Sequence, residues 1–360
     1  EFYALLEKWR TGRLPAGVIH EKFNRHAPFV GGPAPFFVGS HLYTEGAVFY
    51  DQLGLTDDAI AVLEEGASHL SARGELYPMV EYYLGYLYDK SGRQDQARET
   101  FLRAEKRSPD YVFPYCPMDI RALNAATEMN PSGARAWRYM GNALFYLRRY
   151  QDAEQAWLRS NQNDQEDASV LRSLAFVDWV LRQDLDRAVR NLEKASAADP
   201  SDARILMELD YFLDAAGKTD RRAELLSERE ATVRTRDELV LSYSRLLLRT
   251  GDFSKAVDLM DNRHFFARES RAMSHAVYAE AHYGVGEELL EKGSYEEAAE
   301  EFTKGMQYPE NLGEGALANE VFARALYLKG VALDAMGEKA SAKELFRKVS
   351  RNQVRTDTES

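Results

Sequence analysis

The chain has 360 residues, 45% hydrophobic, 11% aromatic and 29% charged, with 46 basic against 58 acidic side chains and a formal charge of −12. This composition excludes a disordered chain, and the single Cys116 excludes a disulfide framework or a multi-thiolate metal site. The acid excess argues against nucleic acid as a partner, and no run nears the ~18 consecutive apolar residues of a membrane-spanning helix, so no membrane insertion is expected.

Residues 1–40 predict an N-terminal helix and an irregular segment. Glu1-Phe2-Tyr3-Ala4-Leu5-Leu6 lacks the basic start and long apolar run of an export signal, so cytoplasmic localisation is expected. Because the chain opens on Glu1 instead of Met, it is expected to be a fragment or a processed product. From Thr11 to Gly39, Pro15, Gly17, Pro28, Gly31-Gly32-Pro33 and Pro35 break any helical period. Phe23, Phe29, Phe36 and Phe37 in the same stretch predict packing on the first repeats, since a free linker would lack them.

Residues 41–109 predict two helical hairpins. The second is the clearer: Leu84-Gly85, Tyr88, Gly92, Ala97, Phe101, Ala104 and Pro109 give a small residue, a glycine turn, an alanine, an aromatic and a proline stop. The first centres on Gly54, Ala59 and Leu63. Residues 110–131 hold an extended stretch, Asp110 to Pro117, and room for a single helix from Met118 to Met129. Residues 132–352 repeat the hairpin pattern. Its markers are Trp137, Gly141, Tyr150, Ala153 and Trp157, then Ala188, Leu192, Ala195 and Pro200, then a weaker copy from Leu206 to Leu226 around Gly217. Three more stand at Gly251/Ala256/Met260, Gly286/Gly293/Ala298/Phe302 and Gly330/Gly337/Ala342/Phe346. Residues 353–360 form a polar tail.

The spacing decides the class. Ala153 to Ala188 is 35 residues and Gly217 to Gly251 is 34. This resembles the tetratricopeptide repeat, whose period is about 34 residues. The resemblance implies an all-α, right-handed superhelical solenoid of about seven to eight helical hairpins. Gly92, Gly251, Gly293 and Gly337 suit the tight turns, Ala97, Ala153, Ala256 and Ala298 the close helix contacts, and Pro109, Pro131 and Pro200 the helix stops. Longer intervals of 38 (Ala59 to Ala97), 42 (Ala256 to Ala298) and 44 (Ala298 to Ala342) place extra residues at Ser71–Tyr77, Asn262–Met273 and Tyr308–Asn319, which are expected to bulge as loops.

The resemblance also implies a concave groove lined by the first helix of each hairpin at its second, fifth, ninth and twelfth positions. These are Met79, Tyr82, Tyr86 and Asp89, then Arg135, Arg138, Asn142 and Phe145, then Ser169, Arg172, Phe176 and Trp179, then Arg204, Met207, Tyr211 and Asp214. The candidate ligand residues are Tyr82, Tyr86, Arg135, Arg138, Asn142, Arg172, Trp179, Arg204 and Tyr211. Arg138, Asn142, Arg172 and Arg204 partly resemble the carboxylate clamp of peptide-binding tetratricopeptide domains, with Ser173 standing where an Asn is expected. Arginine's planar fork suits carboxylate or phosphate. The leading function is therefore a scaffold that binds a peptide, a partner protein with acidic character, or its own upstream domain. Charge reversal at Arg138 and Arg172 is expected to weaken that binding without unfolding the chain.

A narrower resemblance rests on Tyr77 to Tyr88, Ser108 to Pro114 and Tyr308 to Gly313. These are similar to stretches of large bacterial proteins that join an N-terminal β-rich domain, similar to carbohydrate-active enzymes, to tetratricopeptide repeats. That implies the alternative function, an accessory repeat half that positions or dimerises an upstream catalytic domain. Where that family carries an acidic, glycine-rich loop, this chain reads Arg263 to Ala272, with arginines and no glycine.

Little in the sequence points to chemistry. No His-Glu-x-x-His, Walker-type, dinucleotide-binding or nucleophile-elbow motif is present among the 360 residues. His275 and His282 lie seven apart on one helical face with no carboxylate pair at ligand spacing, and read as packed histidines. Cys116, between Tyr115 and Pro117, has no adjacent base. The acidic run from Glu287 to Glu301 reads as a solvated helix face. No enzyme activity, cofactor or metal is expected of this chain.

Overall fold

The computed structural model describes residues 35–72, 76–109, 112–266, 274–316 and 322–356, with side chains from Tyr43 to Arg351. The predicted segment 1–34, with Phe23, Phe29, His20 and His26, lies outside the described residues, as do 267–273 and 317–321 within the two later insertions. Among the described residues there are eighteen α-helices, one 3-10 turn and no strand. They fall into two units divided after Ala198.

The first unit contains four hairpins and one single helix. The hairpins are α1 (Pro35–Gln52) with α2 (Thr56–Ala72), α3 (Pro78–Lys90) with α4 (Gln94–Ala104), α6 (Ala134–Tyr146) with α7 (Tyr150–Asn163), and α8 (Ala168–Arg182) with α9 (Leu185–Ala198). The single helix α5 (Pro117–Met129) packs on both α3 and α6. The region read as irregular from Thr11 to Gly39 therefore ends earlier, because α1 already begins at Pro35. Proline is tolerated at a helix start, where its missing N–H would have had no partner.

The second unit continues with α10 (Ala203–Ala215) and α11 (Thr219–Glu228), a one-turn α12 (Glu230–Val233), and α13 (Asp237–Thr250) with α14 (Phe253–Asp261). It ends with α15 (Ser274–Glu291) and α16 (Tyr295–Gly305), the 3-10 turn Glu310–Leu312, and α17 (Ala323–Ala335) with α18 (Lys339–Thr356).

One register recurs in both units. A methyl group added at Gly85 would stand 2.5 Å from the Phe101 ring, at Gly141 2.4 Å from Trp157, at Gly286 2.6 Å from Phe302 and at Gly330 2.6 Å from Phe346. Each ring lies 16 residues after its glycine, so the first helix of each of these hairpins gives up a side chain to seat an aromatic from the second. Ala97, Ala153, Ala256 and Ala298 are fully buried, in line with their expected role. The turn glycines Gly92, Gly251, Gly293 and Gly337 take positive φ, as the tight turn requires. Two turns lack glycine, and there Arg148 (φ 61°) and Gln183 (φ 53°) adopt the left-handed conformation instead.

The expected bulges in the second unit are not separate. The Phe265 amide donates to the Asn311 carbonyl at 2.7 Å, and the Asn311 side-chain amide donates to the carbonyls of Met260 and Arg263, both at 3.0 Å. Glu314 accepts from the Ser274 amide at 2.8 Å and from its hydroxyl, satisfying donors at the start of α15. The described parts of the two insertions, 262–266 and 308–316, thus brace each other.

Candidate functional site

The groove-position residues fall into three groups once burial is considered. The first is core. Helix α3 is buried without a break from Pro78 through Gly85, more than two turns, so no side of that stretch faces solvent. Tyr82 is therefore not a groove residue: its ring meets Tyr139 of α6 edge-on at 5.9 Å and its hydroxyl donates to Glu105 at 2.9 Å. The Glu105 carboxylate also accepts the amides of Arg135 and Ala136 at 3.0 and 2.8 Å, capping α6 from the preceding hairpin. Met79 is buried with Tyr82, whereas Tyr86, the next groove position, is only half-buried.

The second group is the arginines, which are tied into the structure to different degrees. Arg135 donates to the Arg107 carbonyl at 2.5 Å. Arg138 pairs with Asp167 at 2.9 Å, both side chains largely buried. Asp167 is also the N-cap of α8, accepting the amides of Ser169 and Val170 at 3.0 and 3.1 Å. Arg204, in the second unit, is exposed and meets Glu208 at 3.3 Å. Arg172 is half-buried on α8. Burial pushes the Tyr139 hydroxyl up to about 12, with Arg138 and Arg135 opposing the rise.

The Arg138–Asp167 pair alters the expected charge-reversal result, because a glutamate at 138 would face Asp167 and lose a structural tie. The signal for this was present in the sequence, as an Asp directly before the apolar run of α8 is an N-cap pattern. Replacing Asp167 with alanine is expected to cost about 1–2 kcal/mol, more than a surface substitution, because cap and ion pair go together. A thermal melt of the variant checks it.

The third group is aromatic and open to solvent. Phe176 and Trp179 lie one turn apart on α8, with 44% and 37% of their surface exposed, beside Val180 at 46%. Phe176 meets Phe145 of α6 edge-on at 5.8 Å, and Phe145 in turn packs at 5.5 Å on Trp157. The Trp157 indole donates to the Asn142 side-chain oxygen at 3.1 Å, which turns Asn142 into a support for this surface. The sequence positions assigned to a groove on α6 and α8 thus carry rings in the C-terminal half of each helix and arginines in the N-terminal half. Tyr211 of the second unit is 65% exposed on α10. Sequence reasoning did not find a second exposed contact in the first unit, Tyr115 against Tyr146 at 6.3 Å, since Tyr115 lies outside the repeat pattern.

The hydroxyls of Tyr77 and Tyr83 are driven up chiefly by burial, and Asp178 is raised by burial while Arg187 and Arg182 oppose it. Cys116 accepts or donates at 3.3 Å with the buried Tyr83 hydroxyl, which also bonds Asp119. Among the described residues no three His, Cys, Asp or Glu side chains converge as metal ligands, and no helix is long and apolar enough to cross a membrane.

Models of the tetratricopeptide repeat match residues 82–111, 120–168 and 323–351. These three segments carry tetratricopeptide repeats. The first and last matches begin within α3 and at α17, the leading helices of two hairpins with the glycine-to-ring register. Solved structures similar to this chain include YrrB, described as a tetratricopeptide repeat protein with an unusual peptide-binding site, at 16% identity over 63% of this chain and 99% of that one, TM-score 0.37. MamA from Desulfovibrio magneticus matches at 16% identity over 55% and 97% of the two chains, TM-score 0.31. A tetratricopeptide repeat protein from Parabacteroides merdae matches at 14% over 81% and 98%, TM-score 0.31.

Proposed function

We propose that this chain is a protein-interaction module, and that its first unit holds a partner segment on the ring surface of α6 and α8. The observation that carries this reading is the apolar face of α8, where Phe176, Trp179 and Val180 are open to water and Phe176 meets Phe145 of α6 edge-on. Exposed contiguous apolar surface is costly to solubility and marks contact sites. Aromatic side chains also supply most of the affinity at such sites. Of the arginines at the groove positions of α6 and α8, Arg138 is already paired with Asp167 and Arg135 with the Arg107 carbonyl, so the partner segment that fits is held chiefly through apolar side chains. The accessory role beside an upstream β-rich domain rests on the sequence resemblance of Tyr77–Tyr88, Ser108–Pro114 and Tyr308–Gly313 alone.

A peptide-display selection on the 360-residue chain tests the proposal, run in parallel on a Phe176→Ala/Trp179→Ala variant. Peptides with large apolar or aromatic anchor residues should enrich on the parent chain. The double variant should bind them at least about tenfold more weakly, with an unchanged far-ultraviolet circular dichroism spectrum. Equal binding by both chains would remove the ring surface from the site.

A further inference from the structure

The second unit contains a histidine held where a neutral ring cannot satisfy its surroundings. His282, on α15, is 1% exposed. Its Nδ1 lies 2.6 Å from the Glu301 carboxylate on α16, and its Nε2 lies 3.7 Å from the Asp261 carboxylate at the end of α14. The Tyr278 ring packs on the imidazole at 4.3 Å. Nδ1–H donates to Glu301, but Nε2 is buried with no hydrogen-bond partner. In the neutral tautomer Nε2 would turn a bare lone pair toward the carboxylate of Asp261. In the imidazolium it turns an N–H toward it, and one positive charge stands between two negative ones.

The neighbouring charges agree with that assignment. On α16 Lys304 bonds Glu301 at 2.6 Å, keeping that carboxylate ionised. From α17 Arg324 is committed to Glu280 and Glu287 on α15. On α13 Asp237 is taken by Arg263 and Arg249 by Asp214. Burial disfavours the charged ring, yet the pull of Asp261 and Glu301 outweighs it and holds the His282 pKa above its ordinary value.

Asp261 is also where α14 passes into the first insertion. Its backbone carbonyl, with those of Met260 and Arg263, faces the Asn311 side chain, and the Phe265 amide bonds the Asn311 carbonyl four residues further on. We propose that His282 is a proton-operated clasp: as the imidazolium it ties the end of α14 to α16, and on losing its proton it lets that end, with residues 262–266, open away from Asn311. The sign comes from linkage. A pKa raised in the closed state gives stability that is complete below the ordinary histidine value and lost as pH rises through the closed-state pKa.

Hydrogen exchange on the full chain, corrected for the intrinsic pH dependence, tests this at the Phe265 amide. Its protection should fall as pH rises from about 5.5 to 8.5, by roughly tenfold for each unit by which the closed-state pKa exceeds the open-state one. In His282→Gln the corrected protection should be flat across that range. Protection in the parent chain that is independent of pH, or that falls equally in the variant, would overturn the proposal. Asp261→Asn supplies a second reading that leaves the Glu301 bond in place. The His282 ring titration, followed by its carbon chemical shift, should move to lower pH in that variant, and an unmoved midpoint would equally overturn the clasp.

Discussion

Replacing Arg222 with methionine is expected to destabilise the second unit by about 3–5 kcal/mol, the cost of leaving one member of a buried ion pair without its partner. The Arg222 and Asp210 side chains are 6% and 5% exposed, joined at 2.5 Å. Arg222 also bonds Asp214 on α10 and, at 2.6 Å, the Ser242 hydroxyl of α13, which itself donates to Asp210 at 2.5 Å. Removing the guanidinium strands the Asp210 carboxylate in a site built around its charge. Replacing Asp210 with leucine in the same chain should recover most of the loss, because an apolar pair of similar volume has no desolvated charge to accommodate. Urea unfolding followed by circular dichroism measures both. A single variant as stable as the parent would mean that water reaches Asp210.

A loss of similar size, about 3–5 kcal/mol, is expected for Phe302→Ala. Phe302 is fully buried, and its ring fills the space that Gly286 leaves on the facing helix. Truncation opens a cavity that the neighbouring backbone, held in two helices, closes only in part. Gly286→Ala should also destabilise, since its methyl would stand 2.6 Å from the ring. Combined with Phe302→Leu, however, the same methyl occupies part of the vacated volume. The double variant should therefore cost less than the sum of the two single ones, the mark of residues sharing one space. Strict additivity in a double-mutant cycle would show that Gly286 is kept for another reason.

Gly92, Gly251 and Pro109 made the hairpins legible because each answers a backbone demand at a fixed spacing, and such demands reach the sequence unaltered. Gly141 and Trp157 were both marked in the repeat pattern, but their seating of one on the other is a packing relation that spacing alone does not state. Tyr82 was misplaced for a related reason. Groove positions assume that each leading helix keeps one open face, whereas α3 is buried all round from Pro78 to Gly85. Arg138 shows the limit for charges: its residue type fits an anion clamp, and only the three-dimensional neighbourhood shows Asp167 beside it. Phe176 and Trp179 stood at groove positions in the sequence and are open to solvent, because α8 is not covered there as α3 is.

The Asn311 side chain reaches back 51 residues to the carbonyl of Met260, further than the roughly 34 residues of one repeat period. The entropy of closing a chain segment grows only with the logarithm of its length, about 0.6 kcal/mol for each doubling. Growing from one period to this span therefore costs only about 0.4 kcal/mol. Hydrogen bonds to carbonyls and to the start of α15 outweigh so small a charge on folding. A repeat array can thus gain length between its hairpins almost without penalty, provided that one amide or carboxylate in the added residues finds an unsatisfied helix end to hold.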